Sequence, residues 1–328
     1  MIYPEFLKEG STIGITAPSQ GVGDKISDFD FSLNTLKERG WKIVETSSVR
    51  NSGPRSTDAR TRGKDLVSLF TDDSVDLVMS AAGGDFLYEI LPYTDFETMQ
   101  KHPKWLMGAS DPTGILYPYT TLYDVATIYG MNAGSYDIRP WHTYQENNLK
   151  ILSGENIVQK SSSRRLSKPP FLSDSFVFDT DDVWEAHHCN DIHTSGRCIG
   201  GCMDVLKDLI GTVYDGTLNF LQKYQKDGFI WYLDNFSLSA ETFYRTLLQM
   251  KYAGWFENTR CILIGRVCFE SSETGMTYSE AIDLAVPDIP VLFNVDIGHT
   301  IPAMTMINGA VMNLVYENNA GSISFELR

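Results

Sequence analysis

Three residues far apart in the chain have the types that acyl-transfer chemistry needs: Ser110, Asp234 and His299. A serine hydroxyl becomes a nucleophile when an imidazole takes its proton, and the imidazole needs a carboxylate to fix its tautomer and orientation. Ser110 lies in Lys104-Trp-Leu-Met-Gly-Ala-Ser-Asp-Pro112. Trp105, Leu106 and Met107 suit the end of a buried strand, and Gly108 and Ala109 permit a sharp turn. Asp111 and Pro112 read as the N-cap and first-turn proline of a helix over 113–123. A serine at such an elbow lies near free backbone N–H groups and the positive end of a helix, where an oxyanion is favoured. Asp234 follows the apolar run Ile230-Trp-Tyr-Leu233, and His299 sits in Asp296-Ile-Gly-His-Thr-Ile-Pro302. Each residue also has an ordinary use: a serine in a capping loop, an aspartate in a turn, a histidine on the surface. The serine segment lacks the second glycine of the G-x-S-x-G elbow.

Two other groupings invite different chemistry. His187, His188, Cys189, His193, Cys198 and Cys202 are all metal-ligand types. Their spacing matches no recognised zinc pattern, since Cys198 and Cys202 lack a partner pair, and the reading assigns no metal. Gly21-Val-Gly23 with Glu45 suggests a dinucleotide fingerprint. Ile26 occupies the third glycine position and Pro18 separates the glycines from the strand, so no nucleotide cofactor is assigned.

The elements that must hold these residues follow from periodicity and stop signals. Strands are expected at 11–18, 41–45, 75–79, 105–107 and 125–129, with helices at 29–39 and 58–70 and a helical segment from Phe86 to Leu91. This β-α alternation implies a parallel sheet with helices on both faces over residues 1–152. Ligands of such sheets bind beyond the carboxyl ends of strands, here the loops at Ser19–Gly23, Gly83–Asp85 and Ser110. Residues 153–196, with Pro169-Pro170 and the acidic Asp179–Asp182, read as an interdomain connection of little regular structure. A C-terminal domain over 197–328 is expected to have strands at 229–233, 261–265 and 291–295 and a helix at 239–252. A hairpin over 311–327 is expected to turn at Asn318-Asn-Ala-Gly321.

Composition narrows the classes. The chain has 328 residues, 42% hydrophobic, and a formal net charge of -15. It carries no basic block, which argues against nucleic-acid binding through phosphate neutralisation. No apolar run is long enough to span a bilayer, and the first ten residues do not read as a signal peptide. Five cysteines, an odd number, suit reduced thiols in the cytoplasm.

Several separated motifs, in order, resemble the family of serine peptidases that comprises LD-carboxypeptidases and the microcin C self-immunity peptidases. They are Ser11-Thr-Ile-Gly-Ile-Thr-Ala-Pro-Ser19, Gly83-Gly84 with Glu89-Ile-Leu-Pro-Tyr-Thr-Asp-Phe96, Gly108-Ala-Ser-Asp111, Ile199-Gly-Gly201, and Gly298-His-Thr-Ile-Pro302 with Thr305 and Gly309. The resemblance implies a parallel-sheet N-terminal domain, a smaller β-rich C-terminal domain, a homodimer, and no metal or other cofactor. It implies a Ser-His-Glu triad that falls here on Ser110, His299 and Asp234; should Asp234 not serve, Glu241 is the next acid to test. Oxyanion donors would be backbone N–H groups of Asp111 and the Gly83-Gly84 loop. The chain departs from the family at Asp234 (glutamate), Ala109 (an aromatic), Cys202 (asparagine) and Ile307 (proline). The loop Ser80–Gly84 lacks the arginine common in LD-carboxypeptidases, which favours the microcin-immunity branch. A base-stacking tryptophan of that branch has no match at Leu172, and Trp184 is the substitute. The implied activity is hydrolysis of an amide near a free carboxylate in a small peptide, a peptidyl-nucleotide or a muropeptide. The alternative is a catalytically impaired relative that binds such a ligand.

Overall fold

The computed structural model describes residues 1–328. The chain forms two units, Met1–Glu155 and Asn156–Arg328. The first contains a parallel sheet of Thr12–Thr16 (β1), Lys42–Glu45 (β2), Leu77–Ser80 (β3), Trp105–Gly108 (β4) and Thr127–Tyr129 (β5), in the order β5-β4-β3-β1-β2. β1, β3 and β4 are buried at every position, as strands covered on both faces must be. Helices Ile26–Lys37 (α1), Ala59–Thr71 (α2), Phe96–Lys101 (α3), Thr113–Tyr123 (α4) and Thr143–Leu152 (α5) accompany them. Asp58 caps α2 by accepting from the Thr61 N–H, which is why the helix starts there.

The second unit is built on an eight-stranded mixed sheet. Gln159–Lys160 (β6), Arg164–Arg165 (β7), Thr180–Asp181 (β8) and Glu185–His187 (β9) precede the long strand Ile192–Cys202 (β10). Phe229–Asp234 (β11), Thr259–Gly265 (β12), Val291–Val295 (β13), Met306–Asn308 (β14), Val311–Glu317 (β15) and Ala320–Glu326 (β16) follow. The sheet order is β6-β16-β15-β10-β11-β12-β13-β9. β10 to β13 run parallel, and the flanking pairs are antiparallel. The helices are Met203–Leu209 (α6), Thr217–Tyr224 (α7), Ala240–Tyr252 (α8) and Tyr278–Ala285 (α9). Asn318 and Asn319, both with positive φ, make the turn between β15 and β16, as the two central positions of a type I′ hairpin require.

Two expectations need correction. Residues 153–196 are not a loose connection: apart from its first residues the stretch belongs to the second unit and supplies β6 and β9, the two outermost strands of its sheet. Strands of two and three residues are too short to show a period, so polar composition masked them. The C-terminal unit is therefore not the smaller one. No helix is long and apolar enough to cross a membrane.

Candidate active site

Ser110 stands directly beyond β4 with φ +70°, a left-handed conformation that a residue with a Cβ rarely adopts. Side chains from the end of the neighbouring strand β5 and the loop after it hold it there. The Asn132 side chain accepts from the Ala109 N–H at 3.0 Å and donates to the Ala109 carbonyl at 3.3 Å. The Tyr129 hydroxyl accepts the Ser110 N–H at 3.1 Å. A Cβ on Gly83 would come 3.1 Å from the Ser110 Cβ and 3.3 Å from its Oγ, so only glycine leaves the serine this little cover. The N–H groups of Gly84 and Asp111 have no acceptor within the chain, which leaves them available to an oxyanion.

Asp111 does not cap the helix that follows; Pro112 holds that place and makes no side-chain bond. The Asp111 carboxylate instead accepts from the Ser19 hydroxyl and from the Leu87 N–H at 2.9 Å. Ser19 in turn accepts the Phe86 N–H at 3.2 Å. One buried acid thus ties together the loops after β1, β3 and β4. Burial raises its pKa to about 6 against the pull of the Ser19 and Leu87 hydrogen bonds. Arg62, wholly buried on α2, donates to the Pro18 and Phe86 carbonyls at 2.8 and 2.9 Å and pairs with Glu89 at 2.6 Å.

In the second unit Asp234 ends β11 and is fully buried. His299 Nδ1 lies 2.8 Å from Asp234 Oδ2, with the ring N–H off the straight line between them. His299 Nε2 is buried without a hydrogen-bond partner. Burial pushes the imidazole pKa down, but the Asp234 carboxylate outweighs it, and the net position is above the ordinary histidine value. Gly298, with φ +99°, lets the His299 loop approach Asp234 closely. A Cβ on it would overlap the Asp234 carboxylate, so the loop backbone lies directly against the acid. Arg266, at the end of β12, anchors the same loop: it pairs with Asp296 and, at 2.5 Å, with Asp182, and donates to the Pro302 carbonyl at 3.0 Å. Phe236 packs on the His299 ring with centroids 4.5 Å apart, and Phe269 and the exposed Phe171 pack around Phe236.

Other candidates fall away. Trp184 is fully buried, its indole donating to Asp296 at 2.9 Å and its ring packed against Gly321, so it has no face for a ligand. Glu241 binds the Ser272–Thr274 loop at 2.7–2.9 Å, which holds its pKa far down. His187 and His188 face Asp283 at 2.8 and 3.3 Å, while His193 faces Glu317 at 2.5 Å. These histidines thus face acids at two separate places rather than gathering with the cysteines. Gly21 and Gly23 pack on the Asn51 backbone, and Glu45 pairs with Arg50 at 2.8 Å.

Residues 13–130 match the model of the LD-carboxypeptidase N-terminal domain, and residues 195–314 that of the LD-carboxypeptidase C-terminal domain. The chain belongs to the LD-carboxypeptidase family. Members of this family are peptidases, and this chain is an enzyme of that type. The microcin C7 self-immunity protein MccF of Escherichia coli is 24% identical over 97% of this chain and 94% of its own length. The solved structure of MccF with aspartyl sulfamoyl adenosine has the same fold, with a TM-score of 0.83 at 20% identity, covering 100% of this chain and 99% of that one. A muramoyltetrapeptide carboxypeptidase from Oxalobacter formigenes gives 0.77 at 18% identity, covering 97% and 99%.

The sequence did not single out Asn132, Tyr129, Arg62 or Arg266, and Ser19 entered only as part of a strand-end loop and an opening motif. Their only signal is position: each lies at or just past the end of a strand, or on the helix beside one. The resemblance rested on the motifs that carry the reacting groups.

Proposed function

We propose that the chain is a serine carboxypeptidase-like hydrolase of the microcin-immunity type. It cleaves an amide near a free carboxylate in a small peptide, a peptidyl-nucleotide or a muropeptide. The observation that carries the reading is the buried Asp234–His299 pair, whose second ring nitrogen is left without a partner. His299 Nε2 takes the Ser110 hydroxyl proton as Oγ attacks the substrate carbonyl, which requires the two atoms to come within about 3 Å. Asp234 holds the imidazole tautomer and stabilises the imidazolium. The N–H groups of Gly84 and Asp111 receive the oxyanion. The proton passes from His299 to the leaving amine, and water then releases the acyl group from Ser110 by the same base. Ser110 N–H is already engaged by Tyr129, so it contributes less to the oxyanion than its two neighbours.

The exposed ring of Phe171 favours substrates with a flat or apolar face over purely polar ones. By the same family likeness the working form is a cytoplasmic homodimer, which sedimentation of the purified protein tests. The hydrolase reading is tested by an active-site-directed fluorophosphonate, with acyl-sulfamoyl adenylates and muropeptide tetrapeptides as substrates. Labelling at Ser110, lost in Ser110→Ala together with turnover, supports it. Absence of labelling with ligand binding retained replaces it with the non-catalytic binding protein.

A further inference from the structure

We propose that Cys202, Asp234 and His299 form a three-ligand site for zinc or a similar borderline-soft divalent cation. Cys202 and Asp234 are register partners at the carboxyl ends of the parallel strands β10 and β11, so their side chains emerge next to each other on one face. The His299 loop adds an imidazole beside them. One ligand atom from each residue lies within 4.8 Å of the others, and these three are the one group of metal-ligand types so gathered in the chain. Tetrahedral zinc with bonds of about 2.0–2.3 Å sets its ligand atoms about 3.3–3.8 Å apart, a contraction that small side-chain rotations supply. Sulfur, imidazole and carboxylate together suit zinc or cobalt rather than magnesium or calcium. A second observation points the same way: the half-buried His299, its side chain 12% exposed, has a ring nitrogen with no partner. Asp204, fixed by the Phe236 and Ser237 N–H groups at 3.0 Å, lies 3.8 Å from the Cys202 sulfur and adds negative charge behind the ligands.

Binding displaces to solvent the Cys202 thiol proton, and the second ring proton of His299 wherever the imidazole is charged, so at least one proton is released per ion. The cation would occupy the acid and base assigned above, which makes it a reversible inhibitor; this consequence rests on the hydrolase reading, whereas the site itself does not.

The test uses the full chain and cobalt(II) alone. The expected result is one ion per chain, with a thiolate-to-cobalt charge-transfer band in the near ultraviolet. The band is lost in Cys202→Ser and Cys202→Ala, weakened in His299→Ala, and kept in Cys189→Ser and Cys268→Ala, each checked for folding by circular dichroism. No band at millimolar cobalt, or a band unchanged in Cys202→Ser, overturns the proposal. Zinc then protects Ser110 from the fluorophosphonate in the parent chain and not in Cys202→Ser. A cobalt band without any Ser110 labelling keeps the metal site and rejects the hydrolase.

Discussion

Replacing Gly298 by alanine is expected to damage the second unit and the base together. Its φ of +99° lies outside the range that suits a residue with a Cβ, and left-handed backbone costs such a residue about 1–2 kcal/mol. The added methyl would overlap the Asp234 carboxylate, which is fully buried and has nowhere to retreat. Either the loop lifts or the acid turns, and both separate Asp234 Oδ2 from His299 Nδ1, now 2.8 Å away. Breaking a buried charged pair costs about 3–5 kcal/mol, and partial separation plus strain belongs in the same range. For a unit of this length the melting temperature falls by roughly 2–4 °C per kcal/mol, so a drop of roughly 6–20 °C is expected. Calorimetry reads the stability, and the rate of fluorophosphonate labelling reads the alignment. A displacement near 1 Å slows the reaction by about 10²-fold. A melting temperature within about 2 °C of the parent, with unchanged labelling, would refute the claim that the glycine lets the His299 loop approach Asp234 closely.

Three further outcomes are expected. Asp111 has a folded pKa of about 6, above its unfolded value. The folded state therefore holds the proton more tightly, and stability falls as pH rises through about 4 to 6. The fall approaches 3 kcal/mol at about 1.4 kcal/mol per pKa unit, and Asp111→Asn should remove it in denaturant titrations at pH 4 and 7. For His299, whose pKa is raised by Asp234, the acid limb of the pH–rate profile should lie above the ordinary histidine value. Asp234→Asn should move that limb to lower pH as well as lowering kcat; an unmoved limb would show that Asp234 does not act on the base. Arg266→Met leaves Asp296 buried without its cation and Asp182 with only Arg165 at 3.6 Å, at a cost of about 3–5 kcal/mol, and thermal unfolding should show the loss.

Much of the architecture was legible because its signals are local. β3, β4 and β11 are largely apolar runs, and Asp58 and Ser239 announce the starts of α2 and α8. Ser110, Asp234 and His299 could be picked out from motifs, but the residues that hold them could not, since Asn132, Arg62 and Arg266 act through contacts that no spacing encodes. Asp111 shows the limit most clearly. Its place before a proline reads as a helix cap, yet the Ser19 hydroxyl and the Leu87 N–H from distant loops claim its carboxylate. Trp184 failed for a related reason: an aromatic residue in a polar stretch looks exposed until the sheet that encloses it is assembled.

The outer strands of the second sheet carry a consequence for how the protein is made. β6 pairs with β16, Lys160 facing Ser322, and β9 pairs with β13, Glu185 facing Phe293. Both borders join segments that leave the ribosome early to partners that leave it late. Closing loops of that length is slow, because the chain entropy is lost before the contacts form. During synthesis the apolar β10–β12 ladder therefore waits with open borders until β13 and then β15 emerge. That interval is when the nascent chain is most exposed to aggregation, and where a holding chaperone would gain most purchase.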